Sequence, residues 1–328
     1  MTVLVTADLH ISANPRDAYR SNWLKKLPSL AAKHKANVVL ILGDLTESKE
    51  GHSAELVNFI VAELHRLAEA RQVVISQGNH DWHSSPDNPF FGFLAYIENI
   101  TWISQPTPFL DGQAILLPHT ADYERDWDKI DFKKYDLAFA HQTFQNAASD
   151  SGFKLSGIPL SYFPSNLQII SGDIHTPQEL GNLIYVGSPY SIDFGDAAEP
   201  RILLIHDNGE IESIPCEGPQ KRLVEVKSIA DLKHVKGLAE GDILKVRVEI
   251  APSDHAAWPE MAEQVRAWGL GQGYLIHLVQ PIVAANAHSM IDERKAAPRK
   301  TDAQLLSEYV KHRGVDDGTA KVGLKLLG

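Results

Sequence analysis

Short apolar runs that stop abruptly at polar, ionisable clusters set the rhythm of the chain. Residues 3–7 are apolar and lead into Asp8-Leu9-His10. Residues 38–42 lead into Gly43-Asp44, and residues 73–76 into Gly78-Asn79-His80-Asp81. Between them, 21–35 and 53–70 carry apolar residues at helical spacing. Strand, loop and helix therefore alternate, which predicts a layered α/β domain. Ligand sites in such domains lie beyond the carboxyl ends of the strands. The placement of the polar clusters is thus informative in itself.

Further strands are expected at 114–117, 137–140, 168–171, 183–186, 201–206 and 210–214. His141 follows the second of these, and Gly172-Asp173-Ile174-His175 follows the third. The composition changes near Glu217-Gly218-Pro219. Beyond it, strands at 223–226, 243–250 and 274–279 flank a helix. Trp258, Met261, Ala262, Val265 and Trp268 recur on that helix, and Gly269 is its expected stop. Residues 284–300 are polar and irregular. Thr301 and Gln304 then fit a capping box, and Leu305, Leu306, Tyr309 and Val310 form an apolar stripe. The expected division is 1–217 as the large domain, 218–284 as a small α/β module, and 285–328 as a linker with two short helices.

Charge and composition narrow the function classes. The net charge is -11, from 31 basic and 42 acidic residues. Such a chain does not hold nucleic acid by charge alone, because phosphate neutralisation needs an excess of Lys and Arg. One cysteine, Cys216, excludes an internal disulfide and a cysteine zinc site. No apolar run approaches the ~20 residues of a spanning helix. The first residues enter strand-like sequence with no basic segment and cleavage site. The expectation is a soluble protein of the cytoplasm of a bacterial or phage-infected cell, with no membrane partner.

The clusters offer three carboxylates (Asp8, Asp44, Asp173), three histidines (His10, His141, His175) and the Asn79 amide, with His80 left over. Mixed Asp, His and Asn ligation suits Mn²⁺, Fe²⁺ or Zn²⁺. A carboxylate after five apolar residues, as at Asp44, is costly to bury unpaired. Such a group can bridge two ions that act together on a phosphoryl centre.

The order D-x-H, G-D, G-N-H-D, a lone H, then G-x-x-H resembles the calcineurin-like metallophosphoesterases, over roughly residues 1–215. A narrower resemblance is to SbcD-type DNA-repair nucleases. It rests on Tyr185-Val186-Gly187-Ser188-Pro189, on Asp193-Phe194-Gly195-Asp196, on the Asn208-Gly209 hairpin, and on the small module after Pro219. A length of 328 residues resembles phage-type versions. The resemblance implies a four-layer α/β/β/α sandwich with a small α/β cap and a helical tail. Helices from the first half would cover one sheet and later helices the other.

The resemblance also implies roles. Asp8, His10, Asp44 and His175 would hold one metal, and Asp44, Asn79, His141 and Asp173 a second. His80 would stand beside the scissile phosphate, with Asp81 orienting His80 or its neighbours. The implied function is DNA phosphodiester hydrolysis, by an exonuclease or endonuclease, in recombination or end processing. The partners would be an SbcC-type ATPase and a second copy in a homodimer. The tail helices would dock on the ATPase or fold back on the cap. A stand-alone phosphodiesterase on a small nucleotide is the alternative, and a scaffold subunit without catalysis a third reading.

Two positions depart from the family pattern. Asp173 stands where the family usually has histidine, which favours a harder ion such as Mn²⁺. Glu47 stands where SbcD relatives often have a phosphate-facing histidine; it is expected to face solvent, with contact to a metal-linked water the alternative. Histidines outside the motifs, among them His34, His52, His65, His119, His206 and His277, are expected to be structural or solvated, with His83 the exception. The tryptophans are expected to pack. Arg294, Lys295, Arg299 and Lys300 form a small basic cluster in the linker.

Overall fold

The computed structural model describes residues 1–149, 152–194 and 199–283. The two helices expected beyond 301 and the linker's basic cluster lie outside the described residues. In chain order the main elements are β1 (Val3–Ala7), α1 (Ala18–Lys33), β2 (Val38–Leu42), α2 (Ala54–Ala68), β3 (Gln72–Ser76) and β4 (Ile100–Ile103). There follow β5 (Thr107–Phe109), β6 (Ala114–Leu117), α3 (Tyr123–Asp126), β7 (Leu137–His141), β8 (Gln168–Gly172), β9 (Gln178–Leu180) and β10 (Leu183–Tyr185). Last come β11 (Arg201–Ile205), β12 (Ile211–Pro215), β13 (Lys221–Val226), β14 (Ile243–Ile250), α4 (Trp258–Gly271) and β15 (Leu275–Val283).

Two six-stranded mixed sheets form the body, in the orders β12-β11-β1-β2-β3-β4 and β5-β6-β7-β8-β10-β9. Strands β1 to β4 run parallel, as do β6, β7, β8 and β10. Side chains alternate across each strand. Val38, Leu40 and Leu42 of β2 enter the layer between the sheets, with Phe139 and Ile170. Val39 and Ile41 face the other way, into a core with Trp23 and Leu27 of α1 and Ile60 and Leu64 of α2. Both faces are buried, so these strands read as unbroken apolar runs.

Helix α2 begins where Ser53 accepts the Leu56 N–H, and buries a stripe of Leu56, Ile60, Leu64 and Leu67. Helix α1 starts earlier than its periodicity suggests, because a turn at Pro15–Asp17, capped by Asn14, leads directly into it.

The outer face of the second sheet differs from expectation. Its cover is the short α3, 3₁₀ turns and an aromatic cluster of Trp127, Phe132, Tyr162 and Phe163, in place of long helices. Aromatic rings bury large areas without needing a continuous amphipathic helix. The result remains a mixed α/β sandwich of two packed sheets. A third sheet, β13-β14-β15, packs against α4 around Leu244, Val246, Val248 and Val265. Helix α4 runs through Gly269 to Gly271, so Gly269 is not its stop. A Cβ there would lie 2.4 Å from the Ile276 side chain, so the glycine serves close helix–sheet packing. Among the described residues, no helix is long and apolar enough to cross a membrane.

Candidate metal centre

The parallel strands of the two sheets bring their carboxyl ends to one edge, and there the chain turns sharply. Asp8, His10, Asp44 and Asp173 all have left-handed backbones, with φ of 52°, 41°, 54° and 85°. Non-glycine residues rarely adopt that region, and they hold it where surrounding structure fixes them. Here the fixing is visible. Asp8 N–H donates to Gly43 O at 3.2 Å and His10 N–H to Asp44 O at 2.8 Å, which zips the first two loops together. Asp173 N–H donates to Asp8 Oδ1 at 3.1 Å, which ties in the second sheet.

Asp44 lies at the middle of the constellation. Its Oδ2 is 3.4 Å from His10 Nε2, and its Oδ1 is 3.4 Å from His141 Nε2. On the first side, His175 Nε2 lies 3.2 Å from His10 Nε2, and Asp8 groups with both rings within 4.8 Å. On the second side, the Asn79 side-chain oxygen sits 3.0 Å from His141 Nε2 and 3.2 Å from both Asp44 oxygens. Asp173 Oδ1 lies 3.9 Å from His141 Nε2. The seven residues Asp8, His10, Asp44, Asn79, His141, Asp173 and His175 therefore come together around one carboxylate.

The donor set fits cations. Asp8 is fully buried, and its Oδ2 has no hydrogen-bond partner among the described residues. A buried carboxylate oxygen left so is expensive. Turned the other way, the Asn79 amide would donate to its neighbours; with its oxygen inward it adds one more acceptor, which a cation satisfies. His141 Nδ1 lies 2.8 Å from the Leu42 carbonyl oxygen, which can only accept. Nδ1 thus carries a proton, which leaves Nε2 as the inward-facing nitrogen, the atom a metal-binding imidazole offers. Gly78 keeps the space open, since a Cβ there would lie 2.3 Å from Asp44 Oδ1 and 2.9 Å from the His141 ring.

Electrostatics point the same way. Burial, together with the charges of Asp44 and Asp173, pushes Asp8 up to about 7, against the pull of His141 and His175. Burial also opposes a charge on Asp44 and on His141, yet the two stabilise one another. Asp44 is held well below the usual carboxylate range by His141 and His10. His141 is held well above the imidazole range by Asp44, Asp8 and Asp173. A field that draws a proton to His141 Nε2 also draws a metal cation there.

Asp81 and His80 occupy different places. Asp81 is buried and accepts the N–H groups of Asp44 (3.0 Å), Leu45 (3.0 Å) and Gly78 (2.7 Å). It braces the turns that carry Asp44 and Asn79, and these bonds go to backbone N–H groups rather than to the His80 ring. Burial and the Asp44 charge raise Asp81 to about 6, partly countered by the Gly78 and Leu45 N–H groups. His80 is only partly buried. Its Nδ1–H donates to Glu47 O at 2.8 Å, and its N–H donates to Asp44 Oδ1 at 2.8 Å. Its ring stands 4.8 Å from that of His10, at a cleft of about 470 Å³ lined also by Glu47, His175 and Lys221.

Sequence reading missed several neighbours. Glu47 is exposed, as expected, but its Oε2 also accepts from Arg20 Nη1 at 2.7 Å and lies 3.6 Å from His10 Nδ1. Arg20 is buried and also donates to His10 O at 2.8 Å. His119 is not a remote structural histidine, because its ring is 6.2 Å from that of His141. Burial and His141 push it down to about 4. His83 is exposed, 3.9 Å from Glu50. A single histidine at a strand end is the one local signal that could have found His119.

The family model for calcineurin-like phosphoesterases matches residues 1–196. The chain belongs to the calcineurin-like phosphoesterase family. As a calcineurin-like phosphoesterase it is a hydrolytic enzyme acting on phosphoesters, and the family is dimetal-dependent. Exonuclease subunit 1 of Enterobacteria phage T4 is 22% identical over 215 residues, covering 61% of this chain and 63% of that protein. The match thus spans less than two thirds of that relative's length. Among solved structures, a dimetal phosphatase from Danio rerio matches with a TM-score of 0.40 at 10% identity, over 66% of this chain and 99% of its own. Nuclease MPE of Pseudomonas putida matches with a TM-score of 0.32 at 15% identity, over 65% of this chain and 87% of its own. At those scores neither structure bears on the function.

Proposed function

We propose that this phosphoesterase is a two-metal DNA nuclease, an exonuclease or endonuclease, that processes DNA ends or recombination intermediates with an SbcC-type ATPase. The observation that carries the metal chemistry is Asp44, with one carboxylate oxygen toward His10 and the other toward His141. Asp8, His10, Asp44 and His175 would hold one ion, and Asp44, Asn79, His141 and Asp173 the other. Mn²⁺ suits this oxygen-rich set. Bound divalent ions supply Lewis acidity, which activates a water nucleophile and offsets charge on the phosphoryl oxygens.

The protein's own groups do the rest. His80 has Nδ1–H fixed on Glu47 O, so its Nε2 is the atom left to hold a proton for the leaving oxygen. Asp81 is a positioning residue that keeps the Asp44 and Gly78 turns in register. The name of the phage T4 relative supports the nuclease reading, as does the segment from Tyr185 to Pro189. The division at 217 and 284, a homodimer and a cytoplasmic location belong to the same proposal.

The net charge of -11 favours a second reading, a stand-alone phosphodiesterase on a small nucleotide. One comparison separates them: hydrolysis of single- and double-stranded DNA and of cyclic nucleotides, with Mn²⁺, with and without a candidate ATPase. The nuclease reading expects DNA cleavage that the ATPase enhances. Rapid cyclic nucleotide hydrolysis with inert DNA would overturn it.

A further inference from the structure

Asp173 is a short carboxylate at the edge of the centre, with Oδ1 3.9 Å from His141 Nε2. Its backbone is fixed, with φ of 85° and its N–H on Asp8 Oδ1. Its side chain still has two torsions, and an untethered carboxylate could chelate a cation with both oxygens or swing to the cleft. The structure shows a tether. The Thr143 hydroxyl donates its one proton to Asp173 Oδ2, while Asp173 Oδ1 faces His141 Nε2 at 3.9 Å.

Thr143 is itself held in place. It stands two residues past the end of β7. Its carbonyl oxygen accepts from Ile158 N–H at 3.0 Å. Gly157 crosses so close that a Cβ there would lie 2.2 Å from Thr143 O. The next residue, Phe144, donates its N–H to the Tyr185 hydroxyl at 2.8 Å. The hydroxyl is therefore placed before any ligand arrives.

We propose that Thr143 is a positioning residue that occupies one oxygen of Asp173 and so presents the other to the second cation. This rests on the two-metal reading above. Partners of this kind around a metal ligand commonly change affinity by about 10–100-fold when removed.

Metal binding, read by calorimetric titration of the metal-free full chain with Mn²⁺, tests it. Thr143→Val keeps the shape and removes the hydroxyl. One of two Mn²⁺ sites should weaken by about 10–100-fold and the other should not change. Thr143→Ser should restore the wild-type curve. Two wild-type affinities in Thr143→Val would overturn the proposal. Equal weakening in Thr143→Ser would also overturn it, because the methyl group rather than the hydroxyl would then matter. Asp173→Ala, titrated alongside, separates the tether from the ligand assignment. Loss of one ion in Asp173→Ala with none in Thr143→Val sinks the tether alone. Two wild-type affinities in Asp173→Ala sink Asp173 as a ligand, and the tether with it.

Discussion

His80 hangs its ring on Glu47, donating Nδ1–H to the Glu47 carbonyl oxygen at 2.8 Å. That bond fixes the tautomer and leaves Nε2 for chemistry at the cleft. His80 also falls within 4.8 Å of ligand atoms on His10 and Asp44, so a ligand role is geometrically open to it. The assignment as proton donor makes a distinct prediction. His80→Ala should retain both metal ions, measured by mass spectrometry, while kcat falls by ~10²–10⁴-fold. Loss of an ion along with the rate would make His80 a ligand instead.

Asp81 accepts three backbone N–H groups from two turns. Hydrogen bonds to a charged acceptor contribute about 1.5–3 kcal/mol each when removed. Asp81→Asn puts an NH₂ group against at least one of those N–H donors. The variant should lose about 2–3 kcal/mol of stability in chemical denaturation and bind Mn²⁺ more weakly. Unchanged denaturation and unchanged metal affinity would show that Asp81 braces nothing.

Much of the fold was legible because its central strands are buried on both faces. Continuous apolar runs such as Val38–Leu42 mark such strands, and the polar residues that stop them mark the sheet edge where the centre lies. Strands β4, β5 and β9 were not legible. Each has only three or four residues and one of them carries Pro108, so no run forms. The cover of the second sheet was hidden too, because aromatic packing among Trp127, Phe132 and Phe163 has no period. The motif residues were visible one by one, and the structure brings them together. Their tethers were invisible. Arg20 meets Glu47 across 27 residues, and Thr143 meets Asp173 across 30, and no local pattern carries such pairs.

The buried Asp8 gives the metal-free protein a pH signature. Burial raises its carboxyl from 3.8 to about 7 in the folded state. Between those values the folded chain holds a proton that the unfolded chain has released, so this group costs stability as pH rises. Asp8→Asn removes the cost. The stability of metal-free wild type relative to metal-free Asp8→Asn should therefore fall from pH 4 to 7 and level off above. Denaturant midpoints across that range check it, and parallel curves would show that Asp8 is not buried against its charge. In wild type, Mn²⁺ uptake near pH 6 should release a proton, because the bound carboxylate must be ionised.

The bridging role of Asp44 is the most direct point of test. Two Mn²⁺ ions that share a carboxylate are magnetically coupled, and electron paramagnetic resonance of the Mn²⁺-loaded protein distinguishes a coupled pair from isolated ions. The wild-type protein should bind two Mn²⁺ and give the spectrum of a coupled pair. Asp44→Asn should lose most bound metal, lose the coupled signal and lose nearly all hydrolysis, with its fold intact by circular dichroism. A wild-type spectrum of one isolated ion, or a coupled pair that survives in Asp44→Asn, would contradict the bridge.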